Sequence, residues 1–218
     1  ERMAEGSTLE QRRALALAPF VNEADWLLDL HSMHEPSSPL SMTGLQRGNV
    51  DLALQMKTPA TIVVDRGHAD GVRMRDFGRF GTAEGLAAGA RALLVECGFH
   101  GELSSRSVAQ DQCLRFLELS GAVPPEELAQ LLPGWRMPDA EAQQVLEVTG
   151  AEVAQTASVR FVDNYHGLEH IAAADTVIGY DGSRAIKTPH DDCVLIMPST
   201  RHAQPGVTVV RYARRQTT

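Results

Sequence analysis

Three short apolar runs, each closing on a polar group, constrain this chain more than any other feature. They are Trp26-Leu27-Leu28-Asp29-Leu30-His31, Thr61-Ile62-Val63-Val64-Asp65 and Ala92-Leu93-Leu94-Val95-Glu96-Cys97. Continuous apolar runs of this length read as buried strands of a sheet covered by helices. In open α/β sheets, ligands bind outside the carboxyl ends of the strands. The pattern therefore predicts that Asp29, His31, Asp65 and Glu96 converge on one edge of the sheet.

The segments between the runs supply the rest of an α/β unit over residues 1–122. Residues 7–21 read as a helix capped by Ser7 and Thr8, with Glu10 near the N3 position. Its Leu9, Leu15, Leu17 and Val21 form an apolar stripe expected to be buried. Residues 35–49 are rich in Pro, Ser and Gly and read as a long loop. A Gly- and Arg-rich loop is expected over 66–81, an Ala-rich helix over 83–91 and an amphipathic helix over 104–119. Pro124, Pro125, Pro133 and Pro138 mark residues 123–145 as a linker with one short helix. Alternating segments from 146 to 218, with turns at Asp181-Gly182 and Gln204-Pro205-Gly206, predict a small all-β module.

Bulk properties narrow the function. The 218 residues carry a formal charge of −8 and no basic run, so nucleic acid is not an expected partner. No apolar run approaches a membrane span, so a membrane is not expected either. Cys97, Cys113 and Cys193 are scattered and odd in number, which fits a reducing compartment better than a disulfide framework. With no signal-peptide pattern, a cytoplasmic location is expected. A second copy of the chain stays open as a partner. The chain opens on Glu1, as a fragment, a processed chain or an incomplete gene model would. Neither G-x-S-x-G nor G-x-G-x-x-G occurs, which removes the commonest hydrolase and dinucleotide readings.

Four groups of residues carry candidate chemistry. Asp29 and His31 share a face of a strand, because the side-chain period is two. His31 is placed to ligate a metal, with Asp29 orienting it from behind; the competing reading is a histidine hydrogen-bonded at a sheet edge. Glu96 interrupts an apolar run, where a carboxylate is costly unless paired or functional. It is a candidate general base, against an ion pair with a nearby arginine. Arg66, Arg73, Arg75 and Arg79 crowd one loop, and Arg73, Arg75 and Arg79 are candidates for holding a substrate carboxylate; the alternative is a solvated or internally paired loop. His166-Gly167-Leu168-Glu169-His170 contains the H-x-x-E-H pattern of some zinc peptidases. That mechanism needs a helix, and Gly167 and the alternating surroundings argue against one.

Leu28-Asp29-Leu30-His31-Ser32, the Ala92–Gly98 segment around Glu96, the loop from Asp65-Arg66-Gly67-His68 through Arg73-Met74-Arg75-Asp76-Phe77, and Thr188–Pro198 together resemble the succinylglutamate desuccinylase/aspartoacylase family. These are zinc deacylases of carboxypeptidase-like fold. The resemblance implies a mixed sheet flanked by helices with a small C-terminal β module, residues 1–122 being the C-terminal part of the catalytic domain. It implies Zn2+ as cofactor, His31 as the third zinc ligand, Glu96 as the catalytic base and a small N-acyl amino acid as substrate. The family's H-x-x-E motif, which carries the first two ligands, is not found in the thirty residues before His31, and Arg2 is at most a remnant of its Asn-Arg pair. These 218 residues are therefore expected to be inactive or nearly so. A metallocarboxypeptidase-type amide hydrolase, a non-catalytic binding or scaffolding protein that lost the metal site, and a zinc peptidase built on His166, Glu169 and His170 are the alternatives.

Overall fold

The computed structural model describes residues 8–67 and 71–216. Arg2, Ser7 and His68, singled out above, lie outside the described residues.

Helix α1 (Leu9–Glu23) opens on a capping box in which the Thr8 hydroxyl accepts from the Gln11 amide and the Gln11 side chain accepts from the Thr8 amide. Strand β1 (Trp26–Met33) follows. Strand β2 (Leu40–Thr43), helix α2 (Arg47–Gln55) and strand β3 (Thr61–Val64) come next. After the arginine-rich loop come a short helix α3 (Ala83–Ala87), strand β4 (Arg91–Phe99), the long helix α4 (Ser104–Ser120) and helix α5 (Pro125–Leu131). The remainder is β: β5 (Gln144–Val153), β6 (Val159–Phe161), β7 (His170–Ile171), β8 (Val177–Asp181), β9 (Arg184–Lys187), β10 (Cys193–Ile196) and β11 (Thr208–Arg215).

Eight strands make one mixed sheet in the order β1-β4-β2-β3-β5-β11-β10-β7, and β6-β8-β9 form a small antiparallel sheet. The fold is thus α/β with a mixed sheet flanked by helices and a β-rich C-terminal part, as the sequence led one to expect. β5 pairs in parallel with β3 and antiparallel with β11, so hydrogen bonding is continuous from the α/β unit into the β-rich part. α5 lies within the stretch read as a linker and buries Leu128.

The sheet has two different faces. Leu93, Val95 and Cys97 of β4 pack with Ile62 against α2 and α4 through Leu52, Met56, Val108 and Phe116. Leu94 of β4 points the other way, with Leu40, Met42 and Val63, toward Val194 and Ile196 of β10. The period of two within β4 therefore sends Glu96 to the β-rich side and its neighbours to the helices.

Three expectations fail. Residues 35–49 are not one loop: Leu40–Thr43 is a fully buried strand between β4 and β3, and α2 begins at Arg47. Four residues containing Ser41 and Thr43 carry no strand signature of their own, and neighbours on both sides impose it. The α1 stripe is not buried: Leu9 is 70% and Leu15 40% exposed, and only Val21 reaches a core cluster. Finally, β3 runs opposite to β4, because β2 is antiparallel to β4 and parallel to β3. The carboxyl end of β3 therefore lies at the opposite end of the sheet from those of β1 and β4, and Asp65 does not join His31 and Glu96 there. No helix among the described residues is long and apolar enough to cross a membrane.

Candidate functional site

β1 and β4 pair in parallel with His31 opposite Glu96 and Asp29 opposite Leu94. Three of the polar groups read from sequence thereby share one face of two adjacent strands. His31 Nε2 lies 3.0 Å from Asp29 Oδ1, and His31 Nδ1 lies 4.0 Å from Glu96 Oε1. An imidazole bonded to a carboxylate through Nε2 carries its proton there and turns Nδ1 to the other side. The hydrogen bond to Asp29 raises the His31 pKa, burial opposing it and the charges of Asp29 and Glu96 adding to it. Glu96 is only 7% exposed, and burial raises its pKa, against the lowering pull of His31, Arg73 and Arg211. A carboxyl group moved up in this way is better matched to taking and returning a proton near neutral pH.

These groups line a cleft of about 540 Å3, together with Met42, Arg73, Met197, Val207, Thr208 and Arg211. Of the arginines proposed from sequence, Arg73 lines the cleft. Its guanidinium lies 3.5 Å from Asp65 and donates toward the Met42 sulfur at 3.7 Å. Arg75 is completely buried; it donates to the Asp65 carbonyl at 2.7 Å and pairs with Asp76 at 3.1 Å. Arg79 pairs with Asp25 at 3.0 Å, away from the cleft.

Sequence reading missed Arg211 of β11, which faces the cleft and pairs with Asp65 at 3.2 Å. Asp65 thus anchors Arg73 and Arg211 from beneath the cleft. Burial lowers the Arg211 pKa, with the Asp65 charge opposing it and those of Arg73 and Arg75 adding to the lowering. The signal was present: Arg211 interrupts Val209-Val210 and Tyr212 as Glu96 interrupts its own run.

The His166–His170 segment forms no helix; it is irregular up to β7. The Glu169 carboxylate accepts the amides of His166 at 2.6 Å and Gly167 at 2.9 Å, and His170 pairs with Asp192 at 2.9 Å. Without a helix to bring His166 and His170 onto one face, the zinc-peptidase reading fails.

A catalytic zinc takes three protein ligands. Among the described residues no three His, Cys, Asp or Glu side chains are grouped to hold a metal. His31 is the expected ligand, its Nε2 bond to Asp29 leaving Nδ1 as the ring's ligating atom, and the further ligands are what is lacking. The described residues therefore do not by themselves fit a catalytic zinc.

Comparison with known structures places this arrangement. A structure of succinylglutamate desuccinylase from Vibrio parahaemolyticus superposes with a TM-score of 0.67 at 17% identity, covering 97% of this chain and 62% of that one. The chain has the fold of the succinylglutamate desuccinylase structures. A succinylglutamate desuccinylase/aspartoacylase from Rhodobacter sphaeroides gives 0.63 at 15% identity, over 97% of this chain and 65% of its own. The product-bound ectoine utilization protein EutE (DoeB) from Ruegeria pomeroyi gives 0.63 at 12% identity, over 95% and 64%. The chain spans about three-fifths of the length of these structures. No family model and no curated protein matches it.

Proposed function

We propose that this chain belongs with the desuccinylase/aspartoacylase deacylases and carries the base and the anion-holding part of a site that cleaves the amide bond of an N-acyl amino acid. One observation carries the reading. The β1/β4 register sets His31 against the buried Glu96 in a cleft that also presents Arg73. The likeness in fold to structures named as succinylglutamate desuccinylases supports it.

In this reading Glu96 takes the proton of an attacking water and delivers it to the departing amine. His31, held by Asp29, faces the Glu96 carboxyl and stabilises its charged form. Arg73 holds the substrate carboxylate, and Arg211, sharing Asp65 with it, keeps the guanidinium in place. A zinc at His31 requires two further ligands that the described residues do not supply, so the 218 residues are proposed not to retain zinc and to turn over amides at or near background. A second reading, a binding protein without turnover, is favoured by that same missing ligand set.

Two measurements separate them. Activated aryl esters need less help at the carbonyl and so report the base alone. Glu96→Gln is expected to slow their hydrolysis by roughly the 10²-fold typical of general-base catalysis; equal rates would leave the binding protein. Calorimetry with N-acyl amino acids is expected to show binding that Arg73→Leu removes. Stoichiometric zinc by elemental analysis, with Glu96-dependent amide turnover, would show the ligand count to be wrong.

A further inference from the structure

Met197, Val207 and Thr208 line the Glu96 cleft and also a second hollow of about 190 Å3. The hollow is walled by Met33 and Pro198 as well, and apolar surface dominates it. No Lys or Arg side chain lines it among the described residues. Its one carboxylate is Glu35, which accepts from Arg201 at 3.1 Å and from the Ser199 hydroxyl at 3.3 Å. Imidazoles of His34, His166 and His202 complete it, the His34 and His202 rings packing edge-on with centroids 5.5 Å apart.

Strand register orders the two hollows. Met42 lies opposite Leu94, and Thr43 and Asp65 lie beyond it toward the amino end of β4. The Asp65–Arg73–Arg211 group therefore stands at one end and Glu96 in the middle. Met33, two residues past His31 on β1 and paired with Phe99, stands at the other. A ligand lying along this line with its carboxylate on Arg73 and its amide at Glu96 sends its remaining substituent into the apolar hollow.

We propose that this hollow is the acyl subsite, and that it takes an uncharged aliphatic acyl group. The inference rests on the deacylase reading and names its substrate class. A dicarboxylic acyl group, such as succinyl, would place its terminal carboxylate against Met33, Pro198 and a Glu35 carboxylate that already engages Arg201, with no Lys or Arg side chain among the described residues lining the hollow to receive it. An unpaired charge in such surroundings is strongly disfavoured. The acyl preference thus departs from that in the names of the structures that share the fold.

The test is calorimetric binding of N-butyryl-, N-hexanoyl- and N-succinyl-L-alanine to the 218-residue chain at about pH 8. Burial is worth about fourfold per methylene, so hexanoyl, with two more, is expected to bind about fifteenfold tighter than butyryl, and succinyl weakest of the three. Val207→Lys, at a partly exposed wall position, puts a cation at the hollow and is expected to bring succinyl above butyryl. Succinyl binding as tightly as butyryl, still lost in Arg73→Leu, would overturn the acyl assignment and leave the site standing. Failure of all three ligands to bind in an Arg73-dependent way would overturn the deacylase reading and the acyl assignment with it.

Discussion

Arg115 offers the sharpest test of how the helix layer is held to the sheet. It sits near the middle of α4 and is 2% exposed. Its Nε lies 2.8 Å from Asp111 Oδ2 one turn earlier. One terminal nitrogen donates to the Met56 carbonyl at 3.0 Å and to Asp139 at 2.7 Å, and the other to the Met137 carbonyl at 2.7 Å. Asp111 in turn accepts the Met137 amide at 2.8 Å. One side chain thus ties α4 to the end of α2 and to the segment leading into β5. Arg115→Ala leaves Asp111 buried without its cation and strands two carbonyls. Breaking a buried pair from one side costs about 3–5 kcal/mol. For a chain of this length each kcal/mol lowers the melting temperature by about 2–4 °C, so a drop of about 6–20 °C is expected. Thermal unfolding followed by circular dichroism, with a urea titration for the free energy, measures it. Asp111→Leu combined with Arg115→Met should recover part of the loss, because apolar groups of similar volume can replace a buried pair. A loss below about 1 kcal/mol in Arg115→Ala would refute the argument, since exposed pairs contribute that little.

Other consequences are as direct. Asp181 closes β8 by accepting the Gln155 amide at 2.6 Å and the Thr156 amide at 3.1 Å, with Arg184 at 3.2 Å. The Thr156 hydroxyl, then the Gln155 amide and Arg184, hold its pKa below the usual 3.8. The unfolded chain therefore takes up the proton first, so the stabilisation is complete above pH 3.8 and is lost as pH falls through the folded value. Asp181→Asn is expected to be less stable than wild type at neutral pH, with a gap that closes in acid; a gap independent of pH would count against this. Burial pushes the Cys97 thiol up to about 12 and the Cys193 thiol up to about 11. Both should resist thiol-reactive dyes in the native protein at neutral pH and react fully in denaturant, and fast native labelling of either would contradict their placement. Gly85 lies in α3, where alanine ordinarily stabilises a helix. Here a Cβ would stand 1.9 Å from the Arg79 carbonyl, so Gly85→Ala should lower the melting temperature rather than raise it.

Much of this architecture was legible in the residues. Apolar runs marked β1, β3 and β4; β3 and β4 are covered on both faces and have no reason to alternate, whereas β1, read as buried, lies at the sheet edge with only Leu27 and Met33 buried. Glu96 stood out because a carboxylate within such a run is too costly to be incidental. Asp29 and His31 could be assigned to one face from the period of a strand alone, and their 3.0 Å contact follows from it. The same reasoning would have found Arg211 had the apolar run of β11 been followed one residue further.

Tertiary structure decided the rest. Strand direction is not written in a run of valines and isoleucines, so whether Asp65 faces Glu96 or lies at the far end of the sheet waited on β2 entering between β4 and β3. β2 itself is a strand only because its neighbours supply partners for its backbone. Which arginine meets the cleft was also undetermined, because Arg73, Arg75 and Arg79 have the same chemistry and differ only in where the loop turns them. Sequence determined which groups were too costly to bury without purpose; packing determined which of them met, because contact across a sheet depends on strand order and direction, which local composition does not encode.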